Sequence, residues 1–325
     1  ITDAGPFEDN RRDDRKTSRH RRKSVEDSHH RRIMPALPHV QSLSRPGGRT
    51  PNDDRANGAA GTSSGHAWVI DGATGVGETN YISGAGSDAA WLAARLDELF
   101  AQLPQTTEPL RVAMRRIIGR VRDDYLVETA RLSVPDYAIP SAAALYCGWE
   151  QSGHRLHLRF SGLGDCTAIV RESSGLLHIV GDLADGGSDA AALQDFEAFR
   201  GDTSESAREA LRSYLRERRA RMNRPDGYWI FSIMPEAASH LNEQTLCLRS
   251  PAIMIMMTDG FARLIDHFHA YTPETLLDAA MSGGLEPLYE ELRALEAADP
   301  DCRAAPRVKS EDDASAVLVR LEADS

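Results

Sequence analysis

Ala142-Ala143-Ala144-Leu145-Tyr146-Cys147-Gly148-Trp149, Arg155-Leu156-His157-Leu158-Arg159-Phe160, Cys166-Thr167-Ala168-Ile169-Val170-Arg171 and Leu176-Leu177-His178-Ile179-Val180 follow one another, separated by glycine-bearing turns. Short apolar or alternating runs punctuated this way predict strands, and their spacing suggests an antiparallel meander. Upstream the period is helical. Ser87 to Leu103 opens on an N-cap serine and repeats apolar residues at Trp91, Leu92, Leu96, Leu99 and Leu103, and Glu108 to Leu132 reads as a second long helix. Ala67 to Ile70 before them is a short buried strand.

Downstream, residues 189 to 221 return to a helical pattern with a charged second half, and strands are expected at Tyr228 to Ile233, Thr245 to Leu248 and Ala252 to Thr258. Helices at Glu274 to Met281 and Leu285 to Ala297 lead to a last strand, Ala314 to Leu321. Helices in pairs and strands in blocks describe a layered α+β domain rather than alternating βαβ units.

With 325 residues and 41% hydrophobic content, the chain can bury one large core. No apolar run reaches the roughly 18 residues of a membrane span, and residues 1 to 45 lack the apolar core of a secretory signal. A cytoplasmic protein with no membrane partner is the expectation. Cys147, Cys166, Cys247 and Cys302 show no CxxC spacing, so reduced cysteines are expected rather than a zinc site. A net charge of -11 argues against nucleic acid and requires local positive charge wherever an anion binds.

Composition shifts near residue 45. Asn10 to Arg32 is almost all charged, histidine and serine residues, including Arg19-His20-Arg21-Arg22-Lys23, and cannot bury a core. Residues 1–41 are therefore expected to form a disordered basic tail, without a site at His29-His30, and residues 42–325 a single domain. Met34-Pro35-Ala36 offers a native start within that tail.

Two motifs mislead. Gly61-Thr62-Ser63-Ser64-Gly65 fits G-x-S-x-G, but a polar loop precedes it and a strand follows, the reverse of a nucleophile elbow. Gly84-Ala85-Gly86-Ser87-Asp88-Ala89 opens a helix, yet Asn80 to Ser83 is too short and polar for the buried strand of a dinucleotide site. Aspartates at strand ends remain. Val69-Ile70-Asp71-Gly72, Met256-Met257-Thr258-Asp259-Gly260 and Asp312-Asp313 before Ala314 each place a carboxylate at the end of an apolar run. Carboxylates projected onto one rim repel unless hard divalent cations lie between them.

From about Ser42 to Leu321 the chain resembles the PP2C-type (PPM) metal-dependent serine/threonine protein phosphatases. Asn52-Asp53-Asp54, Asp71-Gly72, Gly164-Asp165-Cys166, Thr258-Asp259-Gly260 and Asp312-Asp313-Ala314-Ser315 stand in the order of that family's motifs. Gly227-Tyr228-Trp229 through Pro235-Glu236-Ala237-Ala238 is similar to a small bacterial branch. The resemblance implies a four-layer αββα sandwich of two antiparallel sheets flanked by helix pairs. It implies two Mn²⁺ or Mg²⁺ ions bridged by Asp71, with Gly72 (through its carbonyl), Asp259 and Asp312 as ligands. Asp54, and more weakly Asp53, would bind through water, and Asp165 with Asp259 would hold a labile third ion. Arg49 stands at the phosphate-gripping position, where a guanidinium fork binds two phosphate oxygens.

The implied activity is hydrolysis of phosphoserine or phosphothreonine in a protein substrate by water between the two ions. A cognate Ser/Thr kinase as a signalling partner and a monomeric state are implied with it. Three departures from the family stand out: Ala73 stands where its animal members place a histidine general acid, Cys166 replaces a serine, and Ser141-Ala142-Ala143 replaces a Gly/Thr turn. Two alternatives stay open, a catalytically silent domain that binds a partner and a phosphatase for a small phosphate ester. Residues 182 to 226 occupy the position of the family's variable flap, where substrate choice is expected to reside.

Overall fold

Trp68, Val69 and Ile70 are consecutive and all buried. Successive strand side chains point to opposite faces, so a strand of this kind needs a packed layer on either side. The computed structural model of the protein describes residues 39–48, 51–77, 79–82, 84–103, 108–181, 205–307 and 309–322, all within the unit Pro35–Ser325. The basic stretch Asn10 to Arg32, Met34 and Arg49 lie outside the described residues.

The strands are β1 His39–Arg45, β2 Arg55–Ala60, β3 Ser64–Gly72, β4 Ala142–Ser152, β5 Arg155–Leu163, β6 Thr167–Glu172, β7 Leu177–Val180, β8 Asn242–Arg249, β9 Ala252–Met257 and β10 Ala314–Leu321. The helices are α1 Asp88–Ala101, α2 Leu110–Glu128, α3 Glu205–Ala220, α4 Asp259–Asp266, α5 Pro273–Gly283 and α6 Leu285–Ala298. Two five-stranded sheets result, ordered β1-β10-β9-β6-β7 and β2-β3-β4-β5-β8, and every pairing is antiparallel.

Strand alternation sorts the core into three layers. Val69, Leu145, Leu158 and Phe160 meet Val170, Met254, Met256 and Val317 between the sheets. On the outer face of the second sheet Trp68, Ile70 and Tyr146 pack against Leu92, Leu96 and Phe100 of α1 and Met114, Ile118 and Val121 of α2. Ile255, Met257 and Leu318 of the first sheet pack against Phe261 and Leu264 of α4, Leu277 of α5 and Leu288 and Leu292 of α6. The order is helices, sheet, sheet, helices: the four-layer αββα sandwich. Among the described residues, no helix is long and apolar enough to cross a membrane.

The N-cap expected at Ser87 forms, its Oγ accepting from the Ala90 amide at 2.9 Å. Three expectations need correction. The meander is two hairpins in different sheets, because β4 and β5 pair in one and β6 and β7 in the other. Tyr228 to Ile233 forms only isolated bridges, Met222 with Tyr228 and Ala142 with Phe231. The pairing of β4 with β5 ends at Ala144 with Leu163, leaving Ala142 open to Phe231, and Pro140 has no N–H to extend the pairing. Strands β1 and β2 went unread, their sequences His39–Arg45 and Arg55–Ala60 being polar or Gly- and Ala-rich. His39–Gln41 thus belong to β1 and not to a tail. Of the expected helix over 189 to 221, Glu205–Ala220 is present as α3, and 182–204 lie outside the described residues.

Candidate metal centre

Antiparallel register brings the acidic segments to one rim. Arg45 pairs with Ala314, and both Ala316 and Thr167 pair with Met257. The end of β1, the start of β10, the end of β9 and the start of β6 therefore lie side by side. In the other sheet Arg55 pairs with Ile70, which sets Asp54 near Asp71. Thr258 joins the two sheets, its Oγ1 donating to Asp54 Oδ2 at 2.9 Å while accepting from the Ser315 amide at 3.0 Å.

Two glycines permit the close approach. A Cβ on Gly72 would lie 2.4 Å from the Asp53 carbonyl oxygen, and one on Gly260 would lie 1.9 Å from that of Asp313. The residues before them, Asp71 and Asp259, are seated by these contacts. Asp313 fastens the loop between β1 and β2, accepting from the amides of Gly47 at 2.7 Å and Asp53 at 2.6 Å.

Electrostatics show which carboxylates meet. Burial pushes the pKa of Asp71 well above the usual carboxylate range, and the charges of Asp259, Asp54 and Asp165 and a hydrogen bond with Asp259 push it further. Burial likewise raises Asp54, with Asp313, Asp259 and Asp312 adding to it and the Thr258 hydroxyl opposing. Asp312 is raised by burial and Asp259, against the pull of Lys309 and Arg263. Asp54, Asp165 and Asp259 thus lie within electrostatic reach of Asp71, and Asp312 within reach of Asp54 and Asp259. Asp53 is turned aside, hydrogen-bonded by Ser87 Oγ at the start of α1. Cys166 lies beside the cluster; burial first, then Asp71 and Asp165, push its thiol well up, so it is a packing residue and a poor nucleophile.

Two protein cations hold Asp312 directly. Arg263, 1% exposed, donates Nη1 to Glu296 at 2.7 Å and Nη2 to Asp312 Oδ2 at 3.0 Å. Lys309 Nζ lies 2.7 Å from Asp312 Oδ1 and 3.2 Å from Thr74 Oγ1. Both oxygens of Asp312 are therefore bound. Among the described residues no three acidic, histidine or cysteine side chains stand as a ready-made shell for an ion. The donor chemistry of Asp54, Asp71, Asp165 and Asp259, all oxygen, is of the kind that hard cations take.

The turn Ser141-Ala142-Ala143 packs as a small-residue support. Ala142 and Ala143 pair with Gly72 and Asp71, and a Cβ on Gly164 would lie 2.4 Å from that of Ala143. Sequence reading missed the bridging role of Thr258, the clamp at Asp313, Lys309 and Arg263. For Arg263 a signal existed, since Asp259 and Arg263 are spaced i, i+4 on one helical face.

No protein-family model matches the chain, and no curated protein matches it. Its structure is similar to that of the Mycobacterium tuberculosis serine/threonine phosphatase PstP/Ppp, at 15% identity and a TM-score of 0.49, covering 88% of this chain and 100% of that one. RsbX in complex with magnesium is similar at 12% identity and a TM-score of 0.48, covering 88% and 96%. The catalytic domain of PstP with two manganese ions is similar at 15% identity and a TM-score of 0.46, covering 88% and 99%. At that distance the chemistry rests on this chain's own residues.

Proposed function

We propose that the protein is a metal-dependent phosphatase acting on phosphoserine or phosphothreonine in proteins. The observation that carries this is the strand register, which brings Asp54, Asp71, Asp165 and Asp259 from four separate strand ends to one rim, where the charges of Asp259, Asp54 and Asp165 all reach Asp71. Positive charge stabilises a cluster of this kind.

Asp71 and Asp259 would hold the ions, Asp54 would be oriented toward them by Thr258, and Asp165 would hold a further one. Gly72 would offer its carbonyl. Mn²⁺ or Mg²⁺ pairs bound by such ligands lower the pKa of water and neutralise phosphate charge for in-line attack. Arg49 would grip the phosphate. Ala73 offers no proton, so the leaving oxygen must take one from elsewhere. Helix α3 lies within residues 182 to 226, where a flap would sit, and its Arg216 and Arg219 donate to the carbonyls of Val76 and Thr74 at 3.3 and 2.9 Å.

The occupation of Asp312 by Arg263 and Lys309 favours a second reading, a domain that keeps the fold and binds a partner without turnover. Hydrolysis of p-nitrophenyl phosphate with Mn²⁺, compared with EDTA and with Asp71→Asn, separates the two. Turnover that needs both Mn²⁺ and Asp71 supports the phosphatase; none under any metal condition supports the silent domain.

A further inference from the structure

Two cations from distant parts of the chain grasp the same residue beside the candidate centre. Lys309 reaches Thr74 Oγ1 at 3.2 Å from the segment before β10, and Arg219 Nη2 donates to the Thr74 carbonyl at 2.9 Å from the last turn of α3. Thr74 lies in the loop that leaves Asp71-Gly72. Both cations are therefore anchored three residues along the chain from Asp71.

Neither cation is fully used. An ammonium has three donors, and among the described residues Lys309 commits two, to Asp312 and Thr74, with 43% of its side chain exposed. Arg219 is half-buried and has no carboxylate partner among the described residues, one bond to a carbonyl being its anchor. A guanidinium placed so, with donors left over and no counter-charge, is stabilised by an incoming anion. The approach also requires such charge, because the chain carries a net -11 and the centre is lined with aspartates.

We infer that Lys309 and Arg219 form a phosphate-binding pair at Thr74, which holds the phosphoryl dianion of a phosphomonoester at the rim of the carboxylate cluster. This deepens the proposed phosphatase reading and rests on it for the identity of the substrate. The pair supplies the positive charge and the donors, and the shared anchor on Thr74 fixes the two side chains relative to Asp71.

The test is calorimetric titration of inorganic phosphate into the full chain, with and without Mn²⁺, for wild type, Lys309→Met, Lys309→Arg and Arg219→Met, with Mn²⁺ binding and thermal melting of each. Each methionine variant is expected to weaken phosphate binding about tenfold or more, as for loss of a hydrogen bond to a charged group. Lys309→Arg should recover most of the affinity, and Mn²⁺ binding should be kept or strengthened in Lys309→Met as Asp312 is released. Phosphate affinity unchanged within about twofold in either methionine variant, or no phosphate binding by wild type, would overturn the inference. Turnover of aryl phosphate is read separately: its absence defeats the phosphatase reading, while a Lys309- and Arg219-dependent phosphate affinity still upholds the pair.

Discussion

Thr258 Oγ1 donates to Asp54 Oδ2 at 2.9 Å, joining the end of one sheet to the entry of the other. The same hydroxyl accepts from the Ser315 amide at 3.0 Å. Thr258→Val keeps the shape, removes both bonds and leaves two buried polar groups unsatisfied. Urea denaturation is expected to show a loss of about 1–3 kcal/mol. A midpoint equal to wild type would mean that the bridge contributes nothing.

Gly260 lies against the Asp313 carbonyl, where a Cβ would sit 1.9 Å from the oxygen. Backbone cannot yield as a flexible side chain does, so Gly260→Ala must displace Asp259 or the entry to β10. The expected cost is at least about 1–3 kcal/mol, as for overpacking in a core, with weakened Mn²⁺ binding. Wild-type melting and binding in this variant would show that the contact is dispensable.

Arg263 joins Glu296 to Asp312 inside the helix layer, and Glu296 is 1% exposed. Arg263→Met leaves buried Glu296 with Arg293 as its remaining cation and should destabilise by about 1–3 kcal/mol, as for loss of a hydrogen bond to a charged group. Adding Glu296→Gln should recover part of that loss in the same denaturation assay, and no recovery would count against the buried pair as its cause.

The metal-free protein should lose stability as pH rises through the region where its acidic cluster ionises. Asp71 and Asp54 have folded-state pKa values above the ordinary 3.8, so between that value and the raised one the folded state binds more protons than the unfolded. The slope of stability against pH is then negative, at most about 1.4 kcal/mol per pH unit for each such group. Asp299 acts in a separate, more acidic window, because backbone amides of Ala305 and Ala304 hold its pKa well below the usual range. Asp71→Asn should raise the metal-free Tm at pH 8 and raise it less at pH 5. Equal shifts at both would contradict the raised pKa.

Much of this architecture was legible in residue order. The N-cap at Ser87, the buried strand through Ala67 to Ile70 and the last strand, Ala314–Leu321, all follow from local chemistry that the folded chain keeps. What local pattern cannot carry is partnership. The turn after β5 reads like any hairpin turn, yet Gly164 and Asp165 carry the chain from one sheet to the other. Strand β2 is held by its pairing with β3 and not by its own propensity. Asp71 and Asp259 were visible because each ends an apolar run and Asp54 and Asp165 through the family motifs they resemble, whereas Lys309 sits in a polar loop and gains its meaning only from Asp312 and Thr74.

Binding of Mn²⁺, followed by electron paramagnetic resonance of the free ion, tests the centre most directly when wild type is compared with Asp71→Asn and Asp259→Asn. Saturable binding by wild type, lost or weakened about tenfold or more in both variants while their folds persist by circular dichroism, is the expected result; a lost charged ligand accounts for a change of that size. Wild type that takes up no Mn²⁺, or variants that bind it as wild type does, would contradict the assignment of these carboxylates to a metal centre.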